Sequence, residues 1–112
     1  MTAPLVPLGY GRNRLVLAHG KNYVVKIPLN DEGEFDNLSE ARISRKYGKR
    51  ADPDGVQYAR CRLLKNGWLL MERVSPARPY GLARPGWIDF IDCGQVGRAR
   101  DGRLVAYDYG YY

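Results

Sequence analysis

The hexapeptide Tyr23-Val24-Val25-Lys26-Ile27-Pro28 constrains this chain more than any other stretch. Its β-branched and apolar residues, ended by a proline, are those of a short buried strand. Strand alternation puts Val24 and Lys26 on one face and Val25 and Ile27 on the other. Burying an ammonium is costly unless it is paired. Either the strand lies at an edge and its lysine reaches water, or the fold supplies an anion to meet Lys26.

The flanking sequence offers candidates on both sides. Before the lysine, Gly9-Tyr10-Gly11 leads into the β-rich run Arg14-Leu15-Val16-Leu17, and His19-Gly20-Lys21-Asn22 is a turn that closes a hairpin onto the Lys26 strand. His19 is expected to face solvent there. Glycines at the start of such a hairpin let a ligand approach the backbone closely, with N–H groups available to phosphate oxygens; a plain turn accounts for them equally. After the lysine, the spacing predicts a helix from about Glu34 to Tyr47, with Asn30, Asp31 and Asp36 as candidate caps and Gly48 as its stop. Its acidic start and basic end complement the helix dipole. Glu40, Ile43 and Tyr47 share one face, so Glu40 is either an inward acid that needs a cation or a surface acid served by neighbouring arginines.

Downstream, Arg50 to Gly55 is a loop. Val56–Leu64 and Trp68–Val74 flank Lys65-Asn66-Gly67, a strong hairpin signal, and the second run is apolar enough for a strand inside its sheet. Residues 75–86 carry three prolines and two glycines and read as a hinge or extended arm. Trp87–Asp92 is a short helix or turn. Gln95–Arg100 and Arg103–Asp108 form a last hairpin around Asp101-Gly102, and Tyr109 to Tyr112 is an exposed tail.

A chain of 112 residues is one domain. The net charge of +6 suits an acidic partner: nucleic acid, nucleotide or acidic protein. Arg42, Arg45, Lys46, Lys49 and Arg50 form the dense basic cluster, which is either a nucleic-acid surface or a solvated helix end that suits its own dipole. No apolar run is long enough to span a bilayer, and Met1-Thr2-Ala3-Pro4 has no signal-peptide character, so a cytoplasmic setting is expected. Cys61 and Cys93 lack metal-site spacing and are taken as free, small hydrophobic residues. Dimerisation is a further expectation, since a domain this small has little core area to spare.

The pieces, in this order, resemble the protein-kinase fold reduced to its N-terminal lobe and a remnant of the second. Leu8-Gly9-Tyr10-Gly11 resembles the glycine-rich loop. Val24-Val25-Lys26 resembles the strand of the phosphate-pairing lysine, and Glu40 the helix glutamate that bridges to it. Leu69-Leu70-Met71-Glu72 resembles the strand entering the hinge, and Asp108-Tyr109-Gly110 the Asp-Phe-Gly motif. More narrowly, Gly9-x-Gly11-x-x-Arg14-x-Val16, Lys26-Ile27-Pro28 and Asn37-x-x-Glu40-Ala41 resemble the small kinase-like proteins of tailed bacteriophages.

The resemblance implies an α+β domain: a twisted antiparallel sheet of about five strands with one helix over 1–74, a hinge or arm at 75–86, and a short segment and hairpin over 87–112. It implies ATP contacts from Gly9, Gly11, Lys26, Glu40 and Glu72, and magnesium ligands at Asp108 and Gln95. Three departures count against catalysis. No His-Arg-Asp loop is present, and Phe90 stands where its aspartate belongs, with Asp89 and Asp92 out of register. Gln95 replaces an asparagine. Only Tyr111 and Tyr112 follow Gly110. The expectation is therefore a degenerate, pseudokinase-like phage protein that binds a macromolecular partner, a host or phage protein, through Arg78, Arg84, Tyr111 and Tyr112, and that retains nucleotide binding. The alternatives are a small ATP-dependent phosphotransferase, with Asp89 or Asp92 as base, and a nucleic-acid-binding protein. Lys26, Glu40 and Asp108 could equally be an internal ion cluster that fixes the helix on the sheet without a ligand.

Overall fold

The structure, a computed structural model, describes residues 5–76 and 95–109. Turn chemistry sets its outline. Gly20, Gly67 and Gly102 have φ of 69°, 88° and 92°, and each closes a hairpin that its sequence announces. The strands so joined are β1 (Leu5–Tyr10), β2 (Arg14–His19), β3 (Tyr23–Pro28), β4 (Cys61–Leu63), β5 (Leu69–Glu72), β6 (Ser75–Pro76), β7 (Val96–Arg98) and β8 (Leu104–Ala106). The helix α1 (Asp31–Tyr47) lies between β3 and β4. One antiparallel sheet runs in the order β1-β2-β3-β5-β4 and a second in the order β6-β7-β8. Lys26 is thus on the middle strand of five, and the edge-strand alternative is excluded.

Four expectations are corrected. The glycine pair does not begin a strand; it ends β1, with a bulge between Pro7 and Gly9, and Gly9 lies opposite Val16. The predicted Val56–Leu64 strand is ordered as strand only at Cys61–Leu63. Upstream of it, Tyr58 makes an isolated parallel bridge to Ala106, and the Ala59 and Ala106 amides donate to Ala106 and Gln57 carbonyls at 2.8 and 2.9 Å. That strap ties the two sheets together. The second sheet has three strands, because Ser75 and Pro76 pair with Arg98 and Gly97; proline is tolerated on such an outer strand. His19 is the last residue of β2, half-buried, and its Nδ1 has no hydrogen-bond partner among the described residues.

The helix begins three residues before its predicted start. Asn30 is the N-cap, its side chain accepting from the Gly33 N–H at 2.9 Å, and the Gly48 N–H closes the other end on the Ser44 carbonyl at 2.8 Å. Its buried face is largely polar: Asp36, Asn37, Ser39, Glu40 and Ser44 are buried beside Ile43, whereas Phe35 and Leu38 are 61% and 55% exposed. One apolar cluster, including Val24, Ile43, Leu69, Met71, Val105 and Tyr109, runs under both sheets. Among the described residues, no helix is long and apolar enough to cross a membrane.

Gly33 sits where the helix start meets the β2 entry. A Cβ there would run into the Asn13 carbonyl oxygen and approach Pro28 Cα at 3.1 Å, both backbone atoms. Gly33→Ala is therefore expected to lift α1 off the sheet and destabilise the protein by about 1–3 kcal/mol. Urea unfolding checks this, with Gly9→Ala, whose Cβ meets nothing within 4 Å, as the silent control.

Candidate functional site

Packing of the polar helix face on β2 and β3 brings Glu40 to the centre of an ion network. Its carboxylate is wholly buried. Oε1 accepts from Lys26 Nζ at 2.8 Å, and Oε2 from Arg14 Nη2 at 2.8 Å and from the Tyr109 N–H at 3.1 Å. Lys26 also donates to the Tyr107 carbonyl at 2.5 Å. Arg14 reaches Asp108 Oδ1 through Nη2 at 2.7 Å and Asn37 Oδ1 through Nη1 at 3.1 Å. Asn37 in turn donates to the Lys26 and Gly67 carbonyls at 3.1 and 2.9 Å, holding the helix to the sheet edge-on.

These contacts decide the charge states. Burial opposes ionisation of Glu40, but the Lys26 and Arg14 charges and hydrogen bonds outweigh it and hold the carboxyl below its ordinary value. Burial also pulls on Arg14, and Glu40 and Asp108 more than compensate, so its guanidinium is firmly charged. Asp108 and Asp36 are pushed up, chiefly by burial and then by the Glu40 charge, against the cations beside them. The Cys61 thiol, free and packed against Tyr109, is pushed up by burial to about 11.

A cleft of about 650 Å³ opens on this network. Gly9, Gly11, Lys26, Glu72, Gln95 and Asp108 all line it, and Glu40 supports Lys26 from behind. Gly11 does not offer its N–H to the cleft, because that group donates to the Arg14 carbonyl at 2.8 Å. The Glu72 carboxylate pairs with Arg103 at 2.8 Å and accepts the Arg60 N–H at 2.5 Å, so its side chain is a strut under the cleft rim. The cleft wall near β5 is apolar, with Val16, Val24, Met71 and Val74.

Arg14, Asn37 and Tyr109 stand in the motifs named from the sequence but carry no site role there. Val16 lies opposite Lys26, and Arg14, two residues earlier on β2, therefore shares the lysine's face; the signal was there once register was known. Tyr109, read as part of an exposed tail, is wholly buried. Its hydroxyl donates to the Ala59 carbonyl at 2.6 Å and its ring packs on Tyr58 at 4.8 Å, which makes it a core residue with a satisfied polar tip. The basic cluster is exposed as expected; within it, Arg50 Nη2 donates to the Lys46 carbonyl at 3.1 Å and Lys49 lies 3.5 Å from Asp101. Asp89, Asp92, Arg78, Arg84, Tyr111 and Tyr112, with Cys93 and the segment Trp87–Asp92, lie outside the described residues.

A nucleotide fits the cleft: it has room, an apolar wall, a charged far end, and open space over Gly9, where a Cβ would meet nothing within 4 Å. Magnesium fits poorly. Arg14 already occupies Asp108 Oδ1, and the Arg14 and Lys26 cations both line the cleft beside it.

Comparison with known proteins places the fold. No family model and no curated protein matches the chain. The streptomycin–ATP ternary complex of APH(2")-IIa superposes with a TM-score of 0.54 at 18% identity, over 70% of this chain. The GDP complex of aminoglycoside 2'-phosphotransferase-IIIa gives 0.50 at 13% identity, over 69%. The chain spans only 26% of either protein. These likenesses establish a kinase-like fold for the matched part.

Glu40→Gln keeps the side chain's shape but takes from buried Lys26 its carboxylate partner and leaves Arg14 with Asp108 alone, and is expected to cost about 3–5 kcal/mol near neutral pH. Because the folded Glu40 value lies below its ordinary 4.5, its contribution is present above that pH and is lost as pH falls through the folded value. Asp36 and Asp108, shifted upward, act in the opposite sense, and less so in the variant, which lacks the Glu40 charge that helps to raise them. Urea unfolding from about pH 7 to about pH 3 should therefore show the gap between wild type and Glu40→Gln closing on the acid side.

Proposed function

We propose that this chain is a kinase-fold domain that binds a purine nucleotide in the cleft between its two sheets, with the base against Val16, Val24 and Met71 and the phosphates toward Lys26. One observation carries the reading. A lysine on the central strand is held by a buried glutamate at 2.8 Å and faces a cleft of about 650 Å³, within the range of small-molecule sites. The ATP and GDP complexes of the structural neighbours support it. An ion cluster serving stability alone would need no such opening.

The proposed role is that of a degenerate kinase acting through a macromolecular partner, because the sequence has no His-Arg-Asp loop before Asp108. Phosphoryl transfer is the second reading, and the assembled Lys26–Glu40 pair favours it. Transfer of labelled phosphate from ATP to any acceptor, lost in Lys26→Met, would establish that reading over the first.

Gly9→Val tests binding without touching the ion network. Gly9 lines the cleft and a Cβ there meets nothing within 4 Å, so the melting temperature should stay near that of wild type. Calorimetric titration should show ATP affinity weakened at least about tenfold. Unchanged affinity in the variant, or no binding by the wild type at millimolar ATP, would remove the nucleotide from this cleft.

A further inference from the structure

We infer that the cleft takes the phosphates of its nucleotide without a divalent cation, the Arg14 guanidinium standing at Asp108 where a metal would otherwise bind. The inference rests on the nucleotide reading above and concerns which positive charge faces the phosphates.

Arg14 is firmly held. Its side chain is only 7% exposed, and it is bonded on three sides: Nη1 to Asn37 at 3.1 Å, and Nη2 to Glu40 at 2.8 Å and to Asp108 at 2.7 Å. Asn37 is itself fixed by two backbone carbonyls, so the fork is preorganised. For a metal to reach Asp108 Oδ1, the guanidinium must withdraw, and withdrawal strips Oε2 of a wholly buried Glu40 of its charged donor. A metal that entered without displacing it would sit against two fixed cations, Arg14 and Lys26. The carboxylate that would attract the metal is thus already neutralised.

Among the described residues, the other acids at the cleft are Asp36, which already feels the Arg14 charge, Glu40 and Glu72. Glu40 is saturated by Lys26, Arg14 and the Tyr109 N–H, and Glu72 is paired with Arg103. Meanwhile Arg14 and Lys26 both line the cleft. A guanidinium has five N–H donors and the three bonds described use three of them, so Arg14, which lines the cleft, keeps donors beyond those that hold it. Arg14 stands where the third glycine of a glycine-rich loop would be, so the backbone there does not cradle the phosphate; a side chain does.

The test is titration of the wild-type protein with ATP in excess EDTA and again in excess magnesium, with a parallel titration of the isotope-labelled protein by Mn²⁺ in the presence of ATP. The inference expects the two dissociation constants to agree within about twofold, and no selective Mn²⁺ broadening of the Asp108 amide. Binding at least about tenfold tighter with magnesium, or broadening centred on Asp108, overturns it while leaving nucleotide binding intact. Absence of binding in both buffers overturns the nucleotide reading, and the inference with it. Arg14→Met adds a second check: by freeing Asp108 it should make the remaining binding magnesium-dependent. The wild-type comparison decides the matter if that variant does not fold.

Discussion

Glu40 is the residue on which the architecture turns. A wholly buried carboxylate is tolerated only if its charge is met and its lone pairs filled. Three separate parts of the chain do this: Lys26 from the middle strand, Arg14 from the strand beside it, and the Tyr109 amide from beyond the last hairpin. Each contact fixes one element against another. The helix is positioned on the sheet, the sheet's first hairpin on the helix, and the second sheet on both. Such a cluster adds little net stability compared with an apolar packing of the same volume, but it defines one arrangement, since every alternative leaves a charge unmet.

That logic explains why the helix violates ordinary patterning. Its buried face carries Asp36, Asn37, Ser39, Glu40 and Ser44, and its exposed face carries Phe35 and Leu38. Departures from local consistency concentrate at functional sites, where the side chains answer to something besides the core. From this face Ile43 joins the apolar cluster, and the parallel strap at Tyr58 adds a second apolar link between the sheets.

Much of this was legible in the chain. The glycine turns at Gly20, Gly67 and Gly102 gave the hairpins, Lys26 demanded a partner, and Glu40 stood on the face of Ile43. The misreadings share a cause: a local signal was overridden by a contact distant in sequence. Gly33 lay just ahead of the expected helix start and is inside the helix, where its missing side chain admits the Asn13 carbonyl. Tyr109 looked like tail and is core, because Ala59, fifty residues away, accepts its hydroxyl. Val56–Ala59 looked like strand and pairs instead with a different sheet. Arg14 was visible as a residue but not as a site member, since its role depends on the register of β2 against β3 and on Asp108, 94 positions later.

The Tyr109–Glu40 hydrogen bond spans 69 positions, and it has a consequence for synthesis. The hairpins of the first sheet close over short loops and are free to form as the chain emerges. Glu40 is translated early, yet its shell is filled only when the last described residues have left the ribosome. Until then α1 presents a polar face with an incompletely compensated carboxylate, and hydrophobic collapse gives it little reason to dock. The part of the chain that comes first therefore depends on the part that comes last to complete the shell of a wholly buried carboxylate.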